Sequence, residues 1–354
     1  MTALTSYHQS LGAQLADDGI PLQYDDLENE YHNALNGSVL LDRSHEGRIL
    51  LTGDDRFELL NRMSTNKMID MQQHEGRPTI FTNPTARILY RVIAYDRPEG
   101  LLLITEPGQG EAVANYLNRN IFFRDNVKLL NIQGQTTHFA IHGLTSDAII
   151  REIQSDLVDL PELYSREIEH KIATFTLLRR KSIIGQHWAL LSQTKDAVVI
   201  HQFLLDIGKN HGLKLAGSLT YNTLRIRSGH PAGRELSSDY IPLEVGLWDE
   251  ISFTKGCYTG QEIIARMESR EKLAKTIVKL NLSSFVSAPT TVYDNDTSVG
   301  KLTSSVESPD GEIFAIAIIK TSVSKSGTVL SVGDDRIQAS VIEYIGQQPS
   351  FIHD

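Results

Sequence analysis

Residues 251–274 read ISFTKGCYTGQEIIARMESREKLA. Within this stretch Thr259-Gly260-Gln261-Glu262 has the form of a capping box, with Thr259 as N-cap and Glu262 three positions on. A helix from Gly260 would turn Ile263, Ile264 and Met267 to one face. Cys257 stands two residues before that cap, near the positive end of the helix, and Lys255 stands two residues before the cysteine. Both placements would favour a thiolate. Gly256 and Gly260 allow tight backbone turns around it. A lone cysteine is ordinarily a small buried hydrophobe, and these surroundings fit a reactive thiol equally well.

The rest of the chain frames that segment. Its 354 residues exceed what one core usually organises, so two or three domains are expected. Hydrophobic residues make up 40% and charged residues 22%, an ordinary globular balance. A formal charge of −10 argues against general binding to nucleic acid or an anionic membrane. The basic run Arg179-Arg180-Lys181 is read as a solvated strand end. No run of about 18 apolar residues is present, which argues against a membrane span. The stretch from Met1 to Gly19 fits neither a secretory signal nor an Arg-rich transit peptide. These features predict a cytoplasmic protein. With Cys257 as the one cysteine, neither an intrachain disulfide nor a four-thiolate metal site can form within one chain, and no metal site is expected.

Periodicity predicts helices near Tyr7–Ala16, after Thr52-Gly53-Asp54 with Phe57, Leu60 and Met63 inward, near Gly110–Leu117, over Ser146–Gln154 and over Ala197–Asn210. Strands are predicted at 47–51, 79–82, 87–95, 101–105, 138–142, 173–178 and 188–191. Their irregular alternation with helices gives an α+β class. From Lys275 to Ile345 the pattern becomes almost wholly strand-like, about six short strands punctuated by Asp310-Gly311 and Gly333-Asp334, as in a small barrel. The expected organisation is a leader at 1–27, a main domain at 28–274 of two subdomains, a β-barrel at 275–345 and a tail at 346–354. Gly108-Gln109-Gly110 is read as a strand-to-helix turn, because Val113 stands where a dinucleotide loop needs a small residue. His138 and His142, four apart on a predicted strand, are read as structural.

Lys255-Gly256-Cys257-Tyr258-Thr259-Gly260-Gln261-Glu262 resembles, position by position, the K-G-C-[FY]-x-G-Q-E motif of YgfZ-type proteins, a branch of the glycine-cleavage T-protein (aminomethyltransferase) superfamily. Val39 to His45, Leu60 to Asn66, Phe81-Thr82-Asn83 with Ile88-Leu89, Thr223 to Ile226, Ile241 to Glu244 and Val299 to Ser304 resemble further segments of it. Together they extend the resemblance over roughly 28–345. It implies T-protein-type folate-binding subdomains around a central cavity, with a C-terminal β-barrel. It also implies tetrahydrofolate, or another reduced folate, as cofactor, and iron–sulfur assembly factors or client enzymes as partners.

T-proteins carry adjacent aspartates, one of them catalytic, where this chain has Tyr90 and Arg91. Neither replaces a carboxylate that manages a proton or a developing cation at neutral pH. Gln186 stands at the place of a folate-contacting glutamate. The resemblance implies Asn66, Asn83, Tyr90, Gln186 and Arg225 as folate contacts. Arg225 suits a glutamyl carboxylate, or alternatively a surface ion pair. It implies Cys257 with Lys255 as the functional thiol pair, in a motif completed by Gly256, Tyr258, Gly260, Gln261 and Glu262. Two functions stay open: a folate-binding accessory protein for iron–sulfur enzymes, and a folate-dependent aminomethyltransferase or related demethylase.

Overall fold

The computed structural model describes residues 2–24, 26–270 and 273–346. The fold is α+β. The chain divides into two compact units, and the first comprises the described residues of Met1–Leu59, Asp70–Arg77 and Val92–Leu224. The second comprises those of Leu60–Ile69, Pro78–Arg91 and Arg225–Asp354. Most of the predicted tail, from 347 onward, lies outside the described residues.

A six-stranded sheet lies in the first unit, in the order Ser165–Glu169, Thr174–Arg180, Gln186–Gln193, Thr136–Gly143, Ser38–Asp42, Leu213–Leu215. All its pairings are antiparallel except the last. Alternate residues Leu177, Leu190, Phe139 and Leu40 share a core with Ile149 and Ile150 of helix Ser146–Ile153 and Ile200 and Leu204 of helix Ala197–Gly208. Period-two strands meeting period-3.6 helices thus build one apolar layer. A five-stranded sheet has the order Gly76–Thr82, Ile88–Arg97, Gly100–Pro107, Glu46–Thr52, Lys128–Asn131. The chain passes from one unit to the other within its first two strands.

The second unit carries a closed barrel, in the order Lys275–Leu282, Ile313–Lys320, Thr297–Glu307, Thr290–Asp294, Val329–Val332, Ile337–Tyr344. Its inner residues include Val278, Leu280, Leu302, Ala317 and Ile319. The outward Ile277, Ile316 and Ile318 pack instead with Ile80, Ile88, Ile226, Tyr240 and Val245.

Several expectations are corrected. The first helix is Ala3–Ser10, not Tyr7–Ala16: the Thr2 side chain accepts from the Thr5 N–H, and Gly12 at φ 88° turns the chain out. Helices Leu27–Asn36 and Ser218–Arg227 had no sequence-based counterpart. The Arg179-Arg180 run ends a strand but is not solvated. Arg179 donates to the Val158 and Leu160 carbonyls, and Arg180 pairs with buried Glu46 at 2.8 Å. Glu46 also pairs with Arg43 at 3.0 Å and lies 3.3 Å from His138 Nδ1. The Arg180 and Arg43 guanidiniums hold its carboxyl well below the usual range against the cost of burial.

Burial holds four histidines of the first unit, His45, His138, His187 and His201, toward the neutral form. His201 is packed edge-on to Phe139 and His8, and burial, with His8 beside it, lowers it to about 3. Burial, with Arg43 nearby, lowers His45 to about 4. Their folded values lie below the ordinary histidine value of about 6.5. Between these limits the unfolded chain takes up protons that the folded chain refuses, so stability falls as pH drops. Denaturation midpoints are expected to decline from pH 7 to pH 4, and less steeply in His201→Leu. An identical decline in that variant would exclude His201 as a contributor.

Candidate functional site

The segment after Glu250 is laced to two other pieces of the second unit. Lys255 is buried, and its ammonium donates to three backbone carbonyls, those of Asn61, Ser64 (2.7 Å) and Asn66 (2.6 Å). Burial pushes the amine down to about 7. The three carbonyls oppose that shift, because only the protonated form supplies three N–H donors. Ser252 N–H donates to the Thr65 carbonyl at 3.0 Å, and Thr65 Oγ1 donates to the Glu250 carbonyl at 2.8 Å.

The second set of ties runs to residues 82–91. Thr82 Oγ1 donates to the Thr259 carbonyl. Gly260 has φ 86°, and a Cβ there would stand 2.8 Å from the Asn83 carbonyl oxygen and 2.9 Å from Ala86 Cα. This glycine is required both by its backbone and by its neighbours. Gly256 carries no such constraint, since a Cβ there would meet nothing within 4 Å. Glu250 is buried and accepts from Arg91 through Nε at 2.8 and 2.9 Å and through Nη2 at 2.7 Å. The Arg91 guanidinium is therefore half of an interior ion pair, a partner that sequence reasoning missed. A carboxylate well before the helix, outside any helical or strand period, offers no signal that could have revealed it.

Two local expectations fail. No capping box forms: helix Gln261–Ser269 starts from Gly260, without a side-chain cap, because the left-handed residue that turns the chain is Gly260 and not Thr259. Glu262 instead faces Arg266 at 2.8 Å on the exposed side. Lys255 does not serve the cysteine either, since its donors are committed to carbonyls. The helix otherwise runs as expected, with Ile264 buried and Ile263 and Met267 packed on the same cluster as Tyr258. Burial raises the Tyr258 phenol to about 12. Gln261 Nε2 reaches the Lys255 carbonyl at 3.5 Å. Cys257 is exposed, in a loop pinned on both sides.

The other candidates are placed as follows. Asn66 and Asn83 join the motif, though chiefly through loop-building bonds. Asn66 Nδ2 donates to the Pro78 carbonyl, and Asn83 Oδ1 accepts from Thr85 N–H, Thr85 Oγ1 and Arg87 N–H. Tyr90 is half-buried in the same unit. Arg225 is paired with fully buried Glu235 at 3.3 Å and donates to Ser304 Oγ at 3.0 Å. Gln186 belongs to the first unit, where its Oε1 accepts from Arg179 at 3.1 Å. The adjacent His187 is buried against His142, ring centroids 3.8 Å apart, and its Nε2 has no hydrogen-bond partner. Among the described residues, no group of three or more His, Cys, Asp or Glu side chains could hold a metal ion.

The model of the GCVT N-terminal domain family matches residues 4–255. The chain belongs to that family. It is 32% identical, over 92% of its length and 75% of the relative's, to an Arabidopsis thaliana protein that carries a chloroplastic transferase name. It is 23% identical to an aminomethyltransferase of Geobacillus sp. (strain WCH70), over 96% of both chains. The crystal structure of glycine cleavage system aminomethyltransferase T from Bartonella henselae superposes with a TM-score of 0.85 over 96% of each chain, at 18% identity. That structure carries the same fold. Among the described residues, no helix is long and apolar enough to cross a membrane.

Two stability measurements separate anchoring residues from surface ones. Lys255→Met leaves three carbonyls without their donor and is expected to cost roughly 1–3 kcal/mol. Cys257→Ser, at an exposed site, should stay within about 0.5 kcal/mol. Equal losses would contradict the clamp. Arg225→Ala strands the Glu235 carboxylate and should cost roughly 3–5 kcal/mol, partly recovered by adding Glu235→Gln. A loss below about 1 kcal/mol in urea denaturation would show that the pair is not structural.

Proposed function

We propose that this chain is a tetrahydrofolate-binding accessory protein of the YgfZ type, acting in a reducing compartment such as the cytoplasm. In this reading it supports assembly or repair of iron–sulfur enzymes, and Cys257 is its functional thiol. The observation that carries the proposal is the construction of the motif loop. Lys255, Gly260 and the Thr82–Thr259 bond anchor a segment whose cysteine is left exposed. A cysteine serving only the core would be buried.

The cofactor reading is supported in part by the side chains present. The amide nitrogen of Gln186 has no partner among the described residues, and His187 Nε2 is buried and unpaired. The half-buried Gln186 amide suits the hydrogen-bonding edge of a pterin, while His187, next along the same strand, turns to the opposite face against His142. Arg225, already bound to Glu235, fits the glutamyl carboxylate poorly. Tetrahydrofolate, when bound, would supply a one-carbon carrier. Asn66, Asn83 and Tyr90 remain proposed contacts. Against aminomethyl transfer stands Arg91, neutralised by Glu250 where T-proteins carry carboxylates. The aminomethyltransferase relatives named above keep that activity as the second reading.

The test pairs two assays. Purified protein is expected to bind tetrahydrofolate in the micromolar range or weaker, on the order of −8 kcal/mol or less, by calorimetry. Cys257→Ser should bind and melt like the wild type, yet fail to restore a cluster-dependent enzyme in cells lacking the protein. Full restoration would exclude a thiol mechanism, absence of any binding at millimolar ligand would exclude the cofactor, and formation of methylenetetrahydrofolate from an aminomethyl donor would favour the transferase.

A further inference from the structure

The outer face of the barrel breaks a rule that its neighbouring positions obey. Strand Lys275–Leu282 turns Lys275, Ile277 and Lys279 outward. In register with Lys279 stands Glu343, and the two side chains pair at 2.9 Å. In register with Lys275, however, stands Lys320. Like charges directly opposite on one sheet face, their Cβ atoms about 4.5–5.5 Å apart, are destabilising. Neither lysine has a carboxylate within 4 Å among the described residues, although the more distant Glu244 carboxylate feels Lys275.

A third lysine lies on the same face. Lys301 is in register with Ile318, which shares the outward side with Lys320. Its carboxylate neighbour among the described residues, Asp239, is 3.6 Å away, and both side chains are largely exposed, so that pair is weak. The three lysines line a cleft of about 400 Å³ together with Asp239 and Tyr240, and Gly300 contributes backbone alone. Lys275 is held over the Tyr240 ring, its Nζ 5.6 Å from the centroid. In a chain of net charge −10 this is a local concentration of positive charge.

We propose that this cleft binds a small polyanion, a molecule with two or more closely spaced phosphate or carboxylate groups. The anion sits between Lys275 and Lys320, with Lys301 as a third contact, and relieves their repulsion. The cleft volume suits a small molecule. This site is independent of the folate and thiol reading.

The experiment is calorimetric titration of the full chain at low ionic strength, with tripolyphosphate in one arm and tricarballylate in the other. Saturable one-site binding is expected in at least one arm. Tripolyphosphate alone assigns a phosphoryl ligand, tricarballylate alone a carboxylate ligand, and both a ligand read by charge spacing. Lys275→Gln with Lys320→Gln should weaken binding at least tenfold, while Lys214→Gln, exposed in the first unit, should leave it unchanged. Without ligand the double variant should melt no lower than the wild type. If it melts lower, exposed Lys320→Gln alone should still weaken binding at least threefold. No saturation in either arm, or equal loss in Lys214→Gln, overturns the proposal.

Discussion

The second unit depends on one ammonium group. Lys255 enters the interior and meets three carbonyls that its own loop cannot satisfy, those of Asn61, Ser64 and Asn66. Desolvating a lysine is costly, and it is tolerated where every N–H finds an acceptor. The consequence is geometric. Residues 61–66 and 252–260 cannot shift independently, and Gly260 holds the same segment against the turn at Asn83 and Ala86. A lysine that looks like an electrostatic helper of the neighbouring thiol is instead the fastener of the loop presenting it.

Interior charge recurs on the same terms elsewhere. Arg91 with Glu250 and Arg225 with Glu235 lie in the second unit, and Glu46 with Arg43 and Arg180 in the first. Each pair is tolerable because its hydrogen-bonding groups are matched; removing one member would leave an uncompensated charge. Such pairs are chemically quiet, which separates them from the exposed cysteine.

Much of the fold was legible in the sequence because strand and barrel patterns are local. The strand-like runs over Thr276–Leu282 and Ile313–Ile319, rich in apolar and β-branched residues, and the turn pairs between strands, locate the barrel without any tertiary information. Helix Ser218–Arg227 escaped because its sequence, SLTYNTLRIR, shows no clean apolar stripe. Helix Leu27–Asn36 escaped because it buries Glu30, whose carboxylate accepts from Gly217 N–H and Thr220 Oγ1, contacts nearly two hundred residues away. The site divides in the same way. The motif around Cys257 stands out as a string, and the demand for Gly260 follows from its turn. The targets of Lys255 and the partner of Arg91 depend on long-range approach that no spacing encodes, and Arg225 meets Glu235 across an irregular loop that has no helical or strand period. A Thr-x-x-Glu string likewise says nothing of which residue will be left-handed, so the capping box was a reasonable reading of the letters and a wrong one of the backbone.

The closure of the barrel carries a consequence for truncated chains. Lys275–Leu282 is bonded on one side to Ile313–Lys320 and on the other to Ile337–Tyr344, which in turn covers Val329–Val332. Loss of the last strand would bare two backbone edges at once. One of them borders a strand whose inward residues are Val278, Leu280 and Leu282. Unpaired edges of that composition recruit other chains. A chain cut short before Ile337 would therefore be not only less stable but adhesive, adding strands from its neighbours in place of its own.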